Sequence, residues 1–179
     1  MGHRLTKIYT KTGDHGTTGL GDGNRIKKND PRMEVIGDID ELNCNVGVLL
    51  SEDLPKEVSN LLLRIQNCLF DLGGELSIPG SEIIKKEIIN VIEEKIDEYN
   101  ATLPPLKEFI LPRGDRKTAY SHLCRGVCRR AERKLVGLKQ LEEVRPESLK
   151  FLNRLSDYFF VLARQLNLKS SVEEIMWKR

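Results

Sequence analysis

Apolar residues recur at intervals of three and four along most of the chain, which is the spacing of one helical face. The pattern predicts five helices, over about 30–51, 55–80, 81 or 85 to 100, 115 or 118 to 138, and 147–168. The clearest stripe lies in the last of them, at Leu152, Leu155, Phe159, Leu162 and Leu166. Because almost no strand signal accompanies these helices, we expect an all-α fold, most simply a five-helix up-and-down bundle.

The chain is expected to form one domain with three parts. A length of 179 residues is that of one ordinary domain. We therefore expect a single domain over 1–179, with an N-terminal loop at 1–29, the helical bundle at 30–168 and a tail at 169–179. The tail is charged apart from Met176 and Trp177, and short charged termini are often mobile.

The N-terminal loop has the composition of a phosphate-binding segment. Five of the 14 glycines lie between Gly13 and Gly23, among threonines and lysines. Glycine lets backbone N–H groups turn toward a ligand, threonine adds hydroxyl donors, and lysine adds positive charge. The loop lacks the Walker A pattern and its strand–helix context. The alternative is a flexible arm without a ligand.

The fourth predicted helix carries a row of arginines. Arg125, Arg129 and Arg133 are spaced by four residues and share one face, within about 12 Å of helix. A separate apolar face is predicted at Leu123, Val127, Ala131, Leu135 and Leu138. Three stacked guanidiniums repel one another unless an anion lies across them, so the row is either a solvated charged face or an anion site.

Three other segments carry candidate chemistry. The first helix presents a carboxylate cluster that includes Asp38, Asp40 and Glu41, any of which is a plausible partner for a guanidinium. The apolar run 109–111 lies among prolines and is either a strand or a rigid crossover, packed on its own domain or forming a wall of a ligand site. On the last helix, Asn153 and Asp157 mark either a solvated face or a site wall.

Composition excludes several classes of protein. Lys plus Arg is 29 against 27 for Asp plus Glu, a net charge of +2, so no overall positive charge favours nucleic acid. The four cysteines have no CxxC pair or zinc-type spacing and are expected to be small buried thiols in a reducing compartment. No signal peptide or membrane span is expected, since the first residues lack an apolar run, and we expect a cytoplasmic protein.

Taken together, the motifs resemble those of the PduO-type ATP:cob(I)alamin adenosyltransferase family, from Lys7 to about Leu166. Each motif alone is only weak evidence for the family, but the occurrence of all five in this order is a strong signal. They are Lys7–Thr18, Gly37–Asn43, Phe109–Pro112, Cys124–Arg133 and Phe151–Tyr158.

The resemblance implies a homotrimer of five-helix bundles with each active site between adjacent subunits. It implies ATP contacts along the glycine-rich loop and, from the neighbouring subunit, along the arginine helix, with Mg2+ bound through the ATP phosphates. It also implies an ion pair of Asp40 with Arg125 across subunits, beneath the corrin, and Phe109 at the lower face of cobalt, while Asp38 receives no role. The implied ATP-binding residues are Thr10, Lys11, Thr12, Gly13, Thr18, Gly19, Lys28, Arg129, Arg130, Ala131, Glu132, Arg133 and Asn153.

The implied reaction transfers the 5′-deoxyadenosyl group of ATP to cob(I)alamin, with ATP, Mg2+ and the corrinoid as the small molecules. The reduced cobalt is itself the nucleophile, so no catalytic serine or cysteine is required. A flavoprotein reductase and a cobalamin-dependent acceptor enzyme are possible partners. Two other functions remain open: a helical module that binds a polyanion, and a relative that binds ATP or corrinoid without turnover.

Overall fold

The structure, a computed structural model, describes residues 8–178, so Lys7 lies outside the described residues. Its elements are a two-stranded antiparallel hairpin and five α-helices, which confirms the predicted helical bundle. The hairpin consists of β1 (Thr17–Gly19) and β2 (Arg25–Lys27). The helices are α1 (Pro31–Leu50), α2 (Lys56–Ser77), α3 (Lys86–Asn100), α4 (Arg116–Lys139) and α5 (Pro146–Lys169).

Helix starts follow the local chemistry of the sequence. Asp30 caps α1 by accepting from the Arg32 N–H at 2.9 Å, and Pro31 occupies the first helical position, where a missing N–H costs nothing. Asp115 caps α4 by accepting from the Thr118 N–H at 3.0 Å. Just before that cap, Gly114 has φ +153°, and a Cβ there would lie 2.3 Å from Asn167 Oδ1, so only glycine fits.

The helices surround one apolar core. Helix α1 packs against α2 and α4, while α5 packs against α4 and α3. The predicted stripe of α5 is confirmed, since its five apolar residues are all buried. On α4 the predicted apolar face is wrong at one position, because Leu123 is exposed. The buried line of α4 runs instead through Cys124 and Cys128, which places those thiols in the core.

The remaining cysteines depart from the expectation of buried thiols. Cys44 is exposed on α1 and Cys68 is half-buried on α2. All four cysteines are free. Cys44 lies outside the apolar stripe of its helix, so packing does not cover it.

Helices α1 and α4 are also joined by charges. Asp38 is buried between them and accepts from Arg130 and Lys134, each at 3.2 Å. Lys134 additionally pairs with Glu34, and Arg130 with Glu41. Asp38, which received no role from the resemblance, thus has a structural one, because a buried carboxylate requires paired donors.

The N-terminal segment is more ordered than the predicted loop. Its hairpin is held on the end of α2, where the Gly21 N–H donates to the carbonyl of Ser77 at 2.9 Å and to its hydroxyl at 2.8 Å. Composition does not show this pairing, since three-residue strands are too short for a visible alternation. Among the described residues, no helix closely approaches the glycine pair Gly73–Gly74 on α2, because the nearest atom to a Cβ at Gly74 is a side-chain carbon of Ile83 at 3.7 Å.

The C-terminal tail is docked, contrary to the expectation of a mobile end. The Trp177 N–H donates to the Phe109 carbonyl at 2.7 Å, and the Leu111 N–H donates to the Ile175 carbonyl at 2.9 Å. Ile110 and Met176 form an antiparallel bridge between these segments. The apolar run 109–111 is therefore a short strand-like segment paired with the tail. Separately, no helix within residues 8–178 is long and apolar enough to cross a membrane.

Candidate active site

The glycine-rich loop brings a lysine against a glycine. The Lys28 ammonium lies beside Gly13, where an added Cβ would be 3.1 Å from Nζ. Gly16 has φ +79° and turns the chain between them, accepting from the Lys28 N–H at 2.9 Å. The positive charge of Lys28 therefore lies on the inner side of the loop, close to the backbone N–H groups that would face a phosphate.

A second cation, missed by sequence reasoning, fixes the shape of this loop. Arg25 Nη2 donates to the Thr12 carbonyl at 2.7 Å, and to the carbonyl and hydroxyl of Thr17 at 3.2 and 2.8 Å. Thr10 and Thr12 share a hydroxyl hydrogen bond at 2.9 Å. Thr18 and Gly19 lie on β1. Because Arg25 is used within the loop, Lys11, Lys27 and Lys28 are the lysines of the described loop left for a ligand.

The arginine row of α4 lies on the side of the helix that faces α5. Arg125 lies over the ring of Phe160 on α5, with 5.8 Å between its Cζ and the ring centroid. Arg129 and Arg133 are exposed and form no ion pair with any residue from 8 to 178. Burial and the neighbouring charge of Arg129 lower the pKa of Arg125. Such a row favours binding of an anion.

Arg125 and Phe160 separate two cavities. The first, which we call the Phe109 cavity, measures about 490 Å³ and is lined by Leu106, Lys107, Glu108, Phe109, Ile110, Arg125 and Phe160. The second, the Arg129 cavity, measures about 290 Å³; its lining includes Arg125, Arg129, Ser156, Asp157 and Phe160. The first cavity is therefore largely apolar, whereas the second is mixed and has Arg125 and Arg129 as its cations beside the carboxyl group of Asp157. Arg125 lines both.

Phe109 projects into the first of these cavities. Its side chain is 74% exposed and contacts Trp177 edge to face, with 6.4 Å between ring centroids. Apart from this ring contact, most of the Phe109 side chain is left uncovered by residues 8–178. It is placed to contact an apolar face of a ligand.

Polar residues of α4 and α5 form a chain below the Arg129 cavity. Asn153 donates to Glu132 at 2.9 Å and accepts from Arg154 at 2.6 Å, and Arg154 in turn donates to Glu93 at 2.7 Å. Burial raises the pKa of Asp157, against the attraction of Arg154. Two predicted ATP-binding residues, Glu132 and Asn153, are thus already bonded to each other.

The structure separates the predicted site residues into groups. Arg125, Arg129 and Phe109 come together around the two cavities. Arg130 faces α1 and is paired there, while Ala131 is 0% exposed, which leaves no part of its side chain for a ligand. Asp40 is exposed on α1 and forms no ion pair within residues 8–178.

The loop and the arginine row do not meet within one chain. The hairpin is anchored on the end of α2, whereas the row faces α5. In the part of the chain that the structure describes, no hydrogen bond or ion pair joins residues 10–29 to α4. Within the described residues, the loop and the arginine row are therefore two separate candidate anion sites.

Two further residues near Arg125 were not singled out by sequence reasoning as site residues. His122 is 5% exposed, lies 6.4 Å from the Phe160 ring, and finds no hydrogen-bond partner for either ring nitrogen among residues 8–178. Burial and the charge of Arg125 lower its pKa to about 4, with Glu174 acting in the opposite direction. Arg164 is buried and paired with Glu174. Neither role has a local sequence signal, since each depends on contacts between distant segments.

The described residues offer no ready-made metal site of their own. Within 8–178 no group of three His, Cys, Asp or Glu side chains is placed to hold a metal ion. A divalent cation that enters with a nucleotide is commonly bound mainly by phosphates and water.

The fold and the site define a helical-bundle protein with a glycine-rich loop, a row of arginines and a largely apolar cavity. The chain belongs to the cobalamin adenosyltransferase family, whose model matches residues 8–166. It is similar to the cobalamin adenosyltransferase of Cupriavidus metallidurans, at 54% identity over 100% of this chain and 98% of that protein. The corrinoid adenosyltransferase of Bacillus subtilis is 43% identical over 97% of this chain and 93% of the relative.

Solved structures agree with this assignment. A variant PduO-type ATP:corrinoid adenosyltransferase from Lactobacillus reuteri, complexed with cobalamin and ATP, matches with a TM-score of 0.91 at 37% identity. The match covers 97% of this chain and 100% of that one. Another variant of the PduO type from that organism, complexed with ATP, matches with a TM-score of 0.90 at 38% identity, covering 96% of this chain and 100% of that one. The resemblance drawn from the motifs is thereby confirmed.

Proposed function

We propose that the chain transfers the 5′-deoxyadenosyl group of ATP to cob(I)alamin, forming adenosylcobalamin and releasing triphosphate. The observation that carries this proposal is the position of Arg125 between a largely apolar cavity lined by Phe109 and a second cavity in which Arg125 and Arg129 supply the cations. A corrin ring needs the first kind of surface and a triphosphate needs the second. A reaction that joins the two substrates needs them to be adjacent.

The electron balance of the reaction sets what the protein must supply. The cob(I)alamin cobalt donates an electron pair to C5′ of the ribose, a cobalt–carbon bond forms, and the C5′–O bond breaks. The leaving triphosphate takes the bonding electrons, and the cobalt ends formally as Co(III). Because the nucleophile belongs to the substrate, the protein contributes placement and charge stabilisation.

The unpaired cations of the site stabilise the negative charge of the leaving triphosphate. Negative charge grows on the triphosphate as the C5′–O bond breaks, so fixed cations stabilise the transition state more than the ground state. Arg129 and Arg133 are exposed and unpaired within the described residues, and Lys28 lies beside Gly13. Bound Mg2+ would supply further positive charge at the phosphates. Guanidinium groups suit this task because their fork matches two phosphate oxygens.

The apolar cavity has a separate task. A base bound at the lower axial position of Co(II) donates electrons and makes reduction to Co(I) harder. A phenylalanine side chain cannot donate, and it excludes water from that position. Phe109, exposed at the cavity mouth, has the chemistry required for the lower face of cobalt.

We propose further that the active protein is a homotrimer with its sites between subunits. Support comes from the separation of the loop and the arginine row within one chain, and from two opposite charges that lack partners there. Asp40 forms no ion pair, and the buried Arg125 Nε has no acceptor within residues 8–178. An Asp40–Arg125 pair between copies would satisfy both, since a buried guanidinium requires acceptors.

The decisive test is to mix the protein with ATP and chemically reduced cobalamin and to follow the visible spectrum. Formation of adenosylcobalamin, with release of triphosphate, is expected. Binding of both compounds without a spectral change would favour a non-catalytic relative. Binding of a polyanion without corrinoid binding would favour the helical binding module.

Subunit mixing tests the shared site. A Lys28→Ala chain and an Arg129→Ala chain should each be poorly active alone. After denaturation and joint refolding, activity should return to about a quarter of wild type, since randomly assembled rings place two intact halves together at about one interface in four. No recovery, with trimers formed, would contradict a site between subunits.

The cellular context is proposed on chemical grounds. Reduction of Co(II) consumes one electron, which a flavoprotein reductase can supply, and the product serves a cobalamin-dependent acceptor enzyme. Free thiols at all four cysteines are consistent with a reducing, cytoplasmic location.

A further inference from the structure

One buried guanidinium holds two segments that sequence analysis left apart. Arg164 on α5 is 3% exposed and donates to both carboxylate oxygens of Glu174, at 2.8 and 3.1 Å. It also donates to the carbonyl of Pro104 at 2.8 Å. Such a two-pronged pair fixes geometry as well as distance, because both donors and both acceptors lie in planes.

The two residues that accept from Arg164 lie in the segment that contains Phe109 and in the tail that pairs with that segment. Pro104 lies in the connection that leads to Phe109, and Glu174 lies in the tail that pairs with it. The tail reaches Phe109 through the Trp177 N–H, at 2.7 Å from the Phe109 carbonyl, and through the ring contact between the two residues. Arg164 therefore holds the Phe109 segment from both sides.

Phe109 itself contributes little to its own placement. Its side chain is mostly exposed, so core packing does not fix it. The connection between α3 and α4 has no helix of its own, and a loop of this kind is positioned by its backbone bonds and by what lies beneath it. The bonds found here lead to the tail, and from the tail to Arg164.

We propose that Arg164 is a positioning residue for the reaction: through Pro104 and Glu174 it fixes the height of Phe109 in the cavity that receives the corrin. This inference rests on the proposed function. Arg164 does not line the Phe109 cavity, so it acts through the segments it holds. A displacement of about 1 Å at a reacting centre can cost a hundredfold in rate, so a small loosening of this pair should be measurable.

The test uses Arg164→Lys, which keeps the charge but cannot form the fork, and Glu174→Gln, which keeps the size but removes the charge. Two assays are compared, one with preformed cob(I)alamin and one in which cob(II)alamin is reduced on the enzyme. We expect turnover with cob(II)alamin to fall by about tenfold or more, with cob(I)alamin turnover and ATP affinity within about twofold of wild type. In the electron spin resonance spectra of the two variants, a smaller fraction of the bound cob(II)alamin should lack a lower ligand than in wild type.

Trp177 provides a readout independent of activity. It is the single tryptophan of the chain. Its backbone N–H donates to the Phe109 carbonyl and its ring contacts the Phe109 ring, so its emission reports docking of the tail. Both variants should shift this emission to longer wavelength and make it more accessible to acrylamide. Wild-type emission in both variants would overturn the inference.

A matched control separates position from stability. Arg145, the residue just before α5, also joins a carboxylate and a carbonyl of other segments but without the fork, since its Nη1 donates to Glu75 at 2.9 Å and to the Ile84 carbonyl at 3.1 Å. Arg145→Lys should lower the melting temperature without changing the ratio of the two assays. Equal losses in both assays for Arg164→Lys, or a shifted Trp177 emission with an unchanged ratio, would overturn the inference. A wild type that forms no adenosylcobalamin would instead overturn the proposed function.

Discussion

The Lys28 ammonium lies directly against Gly13, so close that a Cβ on the glycine would be 3.1 Å from Nζ and 3.2 Å from the Thr17 carbonyl. Gly13→Ala should therefore displace Lys28 and distort the turn, since the backbone atom cannot yield as the lysine can. We expect the KM for ATP to rise by about tenfold with a smaller change in kcat.

The control for this substitution is Gly137→Ala. Gly137 lies within α4 and has open space around its Cβ position, so alanine should be neutral or should raise the free energy of unfolding by up to about 1 kcal/mol. An unchanged KM for ATP in Gly13→Ala would contradict the placement of the phosphates in the loop.

Arg129 and Arg125 should differ in what they affect. Arg129→Ala removes an exposed cation of the row, and we expect weaker ATP binding and a barrier higher by about 2–4 kcal/mol, by analogy with the loss of an oxyanion donor. Arg125→Ala should chiefly impair corrinoid binding, since this side chain also lines the Phe109 cavity. Calorimetry with ATP and steady-state kinetics measure both effects, and normal binding and turnover in both variants would refute this assignment.

Phe109→Ala should spare ATP affinity and lower turnover when Co(II) must be reduced on the enzyme. The physical reason is that alanine leaves room for water or a base below the cobalt. Turnover with preformed cob(I)alamin should fall much less. Unchanged turnover under the reducing condition would remove the proposed role of Phe109.

His122 should make stability depend on pH. Its pKa is lowered from 6.5 in the unfolded chain to about 4 in the fold, chiefly by burial and by Arg125. Between these values the unfolded chain binds a proton that the folded chain excludes, so the free energy of unfolding should fall as pH drops from 6.5 toward 4. We expect a loss of about 2–3 kcal/mol from this group.

Denaturant titrations at pH 7 and pH 4 measure this effect, with His122→Leu as the variant that lacks the titrating group. The variant should lose less stability on acidification, because other groups titrate equally in both proteins. The exposed His15, replaced by Gln, is the control. If the free energy of unfolding depended on pH in the same way in wild type and in His122→Leu, burial of the imidazole would not be the cause of that dependence.

The four thiols should react in a fixed order with a thiol reagent. Cys44 is exposed and should react first, and Cys68, whose pKa is raised by burial and by Asp71, should follow slowly. Burial raises the pKa of Cys124 to about 12 and also raises that of Cys128, so both should react only after unfolding. Absorbance of the released chromophore, with Cys44→Ser as the reference, measures the order. Fast reaction of any thiol in that variant would contradict it.

Sequence reasoning succeeded where the signal was local or where several motifs occurred in order. The stripe of α5, the proline and aspartate at the start of α1, and the five motifs were sufficient to predict the bundle and the family. The arginine row was also visible, because residues spaced by four share a helical face. The stripe of α4 was misplaced by one position at Leu123, since its true centre consists of cysteines, which a hydrophobic pattern underweights.

Contacts between distant segments could not be predicted in this way. The hairpin held on Ser77, the pairing of Asp38 with Arg130 and Lys134, and the docked tail each join residues far apart in the chain. The hairpin was missed and the tail received the wrong expectation, because no periodicity records either contact. For the carboxylate cluster, the sequence predicted a guanidinium partner but not which residues would pair.

The sequence by itself determined the helices and the chemical groups, since a stripe of apolar residues must be buried and a row of guanidiniums must find anions. Tertiary structure alone decided which groups share a cavity. It placed Arg125 between Phe109 and Arg129, turned the glycine-rich loop away from the arginine row, and buried Arg164 beneath the Phe109 segment. The physical reason is that helix formation depends on neighbours along the chain, whereas a site depends on which faces the packed helices bring together.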